Sequence, residues 1–173
     1  LVLGASLGAY AEINLSEADY AFIGEAASDY LGISCSGAGD VDGDGLDDVL
    51  LSAHGSPGAI DAGRTSLFLG STLAGGGELS LSVADASFLG EAAGDRSSYS
   101  VSSAGDVDGD GLSDLLIGAR ENDDGGTNAG KSYLFFGSTV SSGGSFDLST
   151  ADASFVGESA YDDSGQSVSS AGD

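Results

Sequence analysis

Positive charge is what this 173-residue chain has least of. Arg64, Arg96, Arg120 and Lys131 stand against 28 acids, for a formal net charge of -24. Such a surface repels nucleic acid and anionic membranes and attracts cations, which argues against a DNA- or RNA-binding role. The one cysteine, Cys35, has no partner for an internal disulfide, so cysteine usage does not fix the redox compartment. Met and Trp are absent, and His54 is the only histidine. No run approaches the roughly 20 apolar residues of a membrane helix, so no direct membrane insertion is expected of this stretch. The opening LVLGASLG has neither an initiating Met nor a basic flank, and Leu1 reads as an internal residue of a longer protein.

What is present points to strands and turns. Hydrophobic residues make up 40% of the chain, enough for a core, and Gly occurs 30 times. The acids are mostly Asp, which with Gly favours turns and disfavours helix interiors, so short strands joined by tight loops are expected and helix should be scarce.

The chain is an array. FIGE at 22–25 returns as FLGE at 88–91 and FVGE at 155–158, and LVLG at 1–4 returns as LFLG at 67–70 and LFFG at 134–137. The repeat length is therefore 66 or 67 residues, the extra residue falling in a polar loop between Arg120 and Gly130. Residues 1–25 read as the last strands of a preceding unit, 26–91 and 92–158 as two complete units, and 159–173 as the start of a third. Within the first complete unit four strand-like pieces appear: LGISCSGA (31–38), DVLLSA (48–53), RTSLFL (64–69) and ASFLGE (86–91). Val49, Leu50 and Leu51 in a row suggest burial on both faces. Four short strands per unit suit a propeller blade better than a sandwich. Cys35 falls where later units have Val101 and Val168, so a buried packing role is expected of it.

The most specific signal is GDVDGDGLDD at 39–48, repeated as GDVDGDGLSD at 105–114. Both read D-x-D-x-D-G-x-x-D, with Asp40, Asp42, Asp44 and Asp48 in one copy and Asp106, Asp108, Asp110 and Asp114 in the other. Carboxylates at alternate positions of a tight loop converge on one point, and Gly45 and Gly111 permit the bend that turns the carbonyl of Leu46 or Leu112 inward. An all-oxygen set of about six or seven ligands in a flexible loop selects Ca2+ over zinc or copper. A bare solvated turn would leave four carboxylates repelling one another without a counter-cation. An EF-hand begins the same way, but its twelfth position is Glu and helices flank it; here Leu51 and Ile117 occupy that place within strand-like runs. Asp173 stands where a third loop would begin.

Other chemistry is weaker. Residues 4–8, GASLG, match G-x-S-x-G, yet Thr72 and Thr139 replace Ser6 in later units and no helix pattern follows. The closest-set acids belong to the metal loops and make poor proton donors. Lys131, the only lysine, lies in no phosphate loop, and Asn14-Leu15-Ser16 reads as a chance glycosylation tripeptide. Tyr20, Tyr30, Tyr99 and Tyr161 lie near the turns into each first strand, where packing between blades is the favoured role.

These residues resemble the FG-GAP repeat, which builds the β-propeller of integrin α subunits. The acidic loop between two strands is the specific part, and both copies match it. At the Phe-Gly place this chain has Leu31-Gly32, and at the Gly-Ala-Pro place Ser52-Ala53-His54 and Gly118-Ala119-Arg120, departures that favour a more distant surface protein over an animal integrin. The resemblance implies an all-β fold, a partial propeller of four-stranded antiparallel blades forming an open arc. It also implies remaining blades of the same protein as partners. The expected function is a non-catalytic, calcium-binding extracellular module, secreted or on the cell surface, for adhesion or recognition of a protein or glycan ligand. An accessory propeller of a secreted enzyme such as a phospholipase or hydrolase is the alternative, and purely structural calcium a third reading.

Overall fold

The computed structural model describes residues 18–55 and 61–171. The GASLG and Asn14-Leu15-Ser16 motifs, the first LVLG copy and Asp173 lie outside the described residues. The architecture is all-β, in antiparallel sheets that do not close into a barrel. Among the described residues helix is confined to single turns, as the many Gly and the preference for Asp over Glu dictate.

Two sheets follow one another in sequence. In the first, β2 (Cys35–Gly39), β3 (Asp48–Ala53), β4 (Arg64–Phe68) and β6 (Ala86–Leu89) pair antiparallel in the spatial order β6-β4-β3-β2. In the second, β7 (Ser97–Gly105), β8 (Asp114–Ala119), β9 (Lys131–Phe135) and β11 (Ala153–Val156) repeat that order as β11-β9-β8-β7. Between the third and fourth strands of each sheet the chain makes a helical turn, α1 (Gly70–Leu73) or α2 (Gly137–Val140). It then makes an extra strand, β5 (Gly77–Ser80) or β10 (Gly144–Asp147), and a 3-10 turn.

The extra strands join each unit to the one before it. β5 runs parallel to β1 (Tyr20–Ile23), with Tyr20 opposite Gly77 and Ile23 opposite Ser80. β10 runs parallel to β6, with Ala86 opposite Gly144 and Leu89 opposite Asp147. β1 and β6, each the last strand of its unit, thus receive a further strand from the unit that follows. These two short strands were not anticipated from the sequence.

Because the blades stack face to face, the middle strands are buried on both sides, as the unbroken Val49, Leu50, Leu51 run predicts. Leu50 and Leu67 face the second sheet, where they meet Leu115, Ile117, Tyr133 and Phe135. Leu51, Ala53 and Phe68 face the other way, onto Tyr20, Phe22 and Leu81. Phe88 sits at the seam between units, its ring 4.9 Å from that of Phe135 and 5.4 Å from that of Phe146. Ion pairs cross the same seams. Arg64 at the head of β4 meets Glu25 at 2.8 Å, and Lys131 at the head of β9 meets Glu91 at 3.0 Å across the seam and Asp124 of its own unit at 2.7 Å.

Two expectations are corrected. The first strand begins at Cys35 and not at Leu31: the Gly32 N–H donates to the Ser52 carbonyl at 2.8 Å and the Ser52 N–H to the Ser34 carbonyl at 3.0 Å, but the Ser34 N–H turns to Ser52 Oγ at 2.8 Å, so residues 31–34 follow β3 without a regular ladder. Cys35 is exposed, not buried. Its counterpart Val101 is buried against the preceding sheet, whereas Cys35 faces away from the second sheet, where the described residues cover it only in part. Among the tyrosines, Tyr20 packs in the core with its hydroxyl donating to the Leu73 carbonyl. Tyr99 lies under the Arg120 guanidinium, Tyr30 stacks on His54, and Tyr30 and Tyr161 are exposed.

Candidate metal centre

Each acidic loop is the connection of a β-hairpin. β2 ends at Gly39 and β3 begins at Asp48, while β7 ends at Gly105 and β8 begins at Asp114, and in each case those end residues pair with one another. The loop must therefore turn within residues 40–47 or 106–113. Gly45 and Gly111 take positive φ, 86° and 92°, a region costly for a side chain bearing Cβ.

Backbone N–H groups orient the carboxylates. Asp40 accepts from the N–H of Gly43 at 2.8 Å and of Gly45 at 3.0 Å; Asp106 accepts from Gly109 at 2.8 Å and Gly111 at 2.9 Å. Asp42 and Asp108 each accept from the N–H two residues on, at 3.1 Å. Asp44 and Asp110 do the same toward Leu46 and Leu112, at 2.8 Å. The two loops thus share one hydrogen-bond plan, as their common sequence requires.

The result is convergence of acids. One carboxylate oxygen from each of Asp40, Asp42 and Asp48 lies within 4.8 Å of the other two, and Asp106, Asp108 and Asp114 form the same group. Asp44 and Asp110 stand outside these groups of three, and Leu46 and Leu112 occupy the seventh places, their N–H groups bonded back to those same acids. Such groups could hold a metal ion. The donor set is hard oxygen throughout, which suits a hard divalent cation and not zinc or copper. No cation of the protein reaches it. Arg64 and Lys131 are engaged at the seams, and Arg96 and Arg120 both pair with Glu121, at 3.1 and 2.8 Å.

Asp48 and Asp114 do more than the spacing suggests. Both are fully buried. Asp48 accepts from the Val41 N–H at 2.8 Å across the loop and from the Gly70 N–H at 2.7 Å at the start of α1. Asp114 accepts from Val107 at 2.7 Å and from Gly137 at 2.8 Å. The ninth acid therefore ties the loop to the turn after the third strand. Only glycine fits that turn, since a Cβ on Gly70 would lie 2.5 Å from Leu46 Cβ, and one on Gly137 would lie 2.6 Å from Leu112 Cβ. The recurrence of Gly in LFLG and LFFG was the available signal for this contact. A second pair of acids was missed: Asp85 and Asp152 each accept from a backbone N–H at the start of the helical turn and from the Thr72 or Thr139 hydroxyl. Those threonines, at the place of Ser6, thus hold a turn together.

Burial pushes the Asp48 carboxyl above the usual carboxylate range, opposed by the N–H groups of Gly70 and Val41 and reinforced by the charges of Asp42 and Asp40. Lost hydration likewise lifts Asp108, with Asp110, Asp114 and Asp106 adding to it against the Asp110 N–H. The loops also touch one another, for the Ser113 N–H donates to the Asp40 carbonyl at 2.8 Å.

Residues 98–135 match the family model of the FG-GAP repeat. The match runs from β7 through the second acidic loop and β8 to the end of β9. No curated protein matches the chain. Among the described residues no helix is long and apolar enough to cross a membrane.

Proposed function

We propose that this chain is part of a calcium-binding β-propeller that works outside the cell in adhesion or ligand recognition and carries no catalytic site. One observation carries the reading. Two loops of identical spacing each gather three carboxylates within 4.8 Å, while every basic side chain is occupied elsewhere. In the bound state Asp40, Asp42, Asp44, the Leu46 carbonyl and Asp48 hold one Ca2+. Asp106, Asp108, Asp110, the Leu112 carbonyl and Asp114 hold the other. The ion neutralises the mutual repulsion that adds to lost hydration in lifting Asp48 and Asp108, and it fixes the hairpin on which each blade turns. The FG-GAP match over the second loop supports the repeat on which the reading rests. The proposed setting is extracellular, where free calcium suits modules that work at about 10⁻⁴ to 10⁻³ M. The partner expected is a protein or glycan of a cell surface or matrix.

Thermal melts in calcium and in chelator test the metal. At about 1 mM Ca2+ and a Kd of about 10⁻⁴ M, linkage stabilises the fold by about 1.4 kcal/mol per site. A clear rise in Tm is expected, and its loss in the Asp40→Asn, Asp106→Asn double variant. A chain folded equally well in both conditions would sink the assignment. Retention on immobilised matrix proteins or glycans in calcium, and release by chelator, tests the recognition role; no retention of the complete propeller under either condition would remove it.

A further inference from the structure

One peptide group lies between the two acidic loops and is bonded to both. Its N–H, that of Val41, donates to the Asp48 carboxylate at 2.8 Å, within the first loop. Its carbonyl, that of Asp40, accepts from the Ser113 N–H of the second loop at 2.8 Å. Ser113 stands between Leu112 and Asp114, the seventh and ninth places of that loop. A peptide group is planar and stiff, so its N–H and its carbonyl cannot be aimed independently. Where Asp48 holds the Val41 N–H, the Asp40 carbonyl is set as well, and with it the backbone that carries Leu112 and Asp114.

The surroundings leave this group little slack. Val41 is fully buried in the core that joins the two units. Its carbonyl lies on the turn that holds Asp114: a Cβ on Gly137 would stand 3.2 Å from Val41 O, and the Gly137 N–H donates to Asp114 at 2.8 Å. A Cβ on Gly39 would fall 2.3 Å from Ser113 Oγ, and one on Gly43 would fall 3.0 Å from Leu112 Cδ2. At the counterparts Gly105 and Gly109 a Cβ would meet no atom of the described residues nearer than 3.8 Å. Small size at 39 and 43 therefore serves the contact between loops as well as the turn. The cover is visible in the first acid of each loop, since Asp40 is half-buried and Asp106 exposed.

We infer that the loops at 40–48 and 106–114 bind calcium as a positively coupled pair, linked through the 40–41 peptide, with Ser113 as the positioning residue. The inference rests on the calcium reading above and adds regulation to it. An ion in the first loop engages the carboxylates of Asp40 and Asp48, on either side of the linking peptide, and so fixes the acceptor for the Ser113 N–H. The Leu112 carbonyl and Asp114 are then presented to a second ion with less left to order. By linkage, an ion in the second loop favours the first by the same factor. Repulsion between the ions opposes this only weakly, because each enters a loop of four carboxylates and leaves it still negative, and salt at about 0.15 M screens the rest beyond about 8 Å.

The test titrates Ca2+ into the full chain and follows the Gly45 and Gly111 amides by NMR, one reporter for each loop. Asp106→Asn with Asp108→Asn disables the second loop. Its four carboxylates become two, the net charge that Ca2+ leaves on the intact loop, so the comparison at Gly45 reads ordering and not field. The Kd read at Gly45 should weaken about threefold to tenfold, the worth of one backbone hydrogen bond. Asp40→Asn with Asp42→Asn should weaken binding at Gly111 by the same factor. In Ser113→Pro, which loses the donor and no carboxylate, disabling either loop should change the other by less than about twofold. Equal affinity at Gly45 with the second loop intact or disabled overturns the coupling and leaves both calcium sites standing. An undiminished factor in Ser113→Pro overturns the link through Asp40. The comparison of intact and disabled loops decides the coupling even if Ser113→Pro does not fold. If neither amide responds to calcium in the parent, the calcium reading itself falls and the coupling with it.

Discussion

Buried acids in this chain divide by what satisfies them. Asp48 and Asp114 accept two backbone N–H bonds each and face their loops, so their charge is held by dipoles that a bound cation would supplement. Asp95 is nearly as buried and has no such prospect. Its carboxylate accepts from Asn122 Nδ2 at 2.9 Å, and Glu91 and Asp123 lie near it. Burial lifts its carboxyl above the ordinary value of 3.8, against the bonds from Asn122 and the Ala92 N–H and with help from Glu91 and Asp123. For an acid whose folded value exceeds its unfolded value, the folded state binds the proton more tightly. Charged Asp95 therefore destabilises the fold at neutral pH, and the penalty fades as pH falls through the raised value toward 3.8. Asp95→Asn keeps an oxygen to accept from Asn122 and removes the charge. It should raise Tm at pH 7 in chelator and converge with the parent below about pH 4. A variant less stable than the parent at pH 7 would mean that the hydrogen-bonded charge outweighs its desolvation.

At the scale of elements, the seam between units carries the fold, and Phe88 is its centre. Its ring is fully buried and touches Phe135 of β9 and Phe146 of β10, so it joins the fourth strand of one unit to two strands of the next. Phe88→Ala is expected to cost about 3–5 kcal/mol, the range for a buried aromatic that leaves a cavity. A denaturant midpoint with an unchanged m-value would show the loss as stability, and a shift under about 1 kcal/mol would show that the seam collapses to refill the space. Most of this element plan could be read beforehand. DVLLSA, RTSLFL and ASFLGE announced β3, β4 and β6 because apolar runs there are bounded by Gly and Asp. GELS and GSFD announced nothing: four residues after a run of glycines carry too little pattern, and both pair with a strand nearly 60 residues away. The acidic loops were legible because all their carboxylates lie within nine residues. The contacts of Asp48 with Gly70 and of Arg64 with Glu25 were not, since no local period links residues so far apart. Cys35 was misjudged for a related reason, in that its environment depends on a neighbouring unit and not on its own strand.

For the whole molecule, the governing fact is a charge of -24 with all four bases committed to ion pairs. Two opposing responses to salt follow. Screening weakens ion pairs, but Lys131 is buried with its partner Glu91 largely covered, and pairs of that kind are screened least. Screening also relieves repulsion among the remaining acids, most of which lie in exposed loops where a Debye length of about 10 Å at 0.1 M acts fully. Relief should win. Raising NaCl from about 0.01 to about 0.3 M in chelator is therefore expected to raise Tm. Calcium at about 1 mM should raise it further at constant ionic strength, because a monovalent atmosphere relieves the average field while a divalent ion in the loops removes its two densest points. A Tm that falls with NaCl would mean that the seam ion pairs, and not the unpaired acids, set the electrostatic balance. Equal Tm in calcium and in matched NaCl would mean that the loops receive no more than the screening shared by every exposed acid.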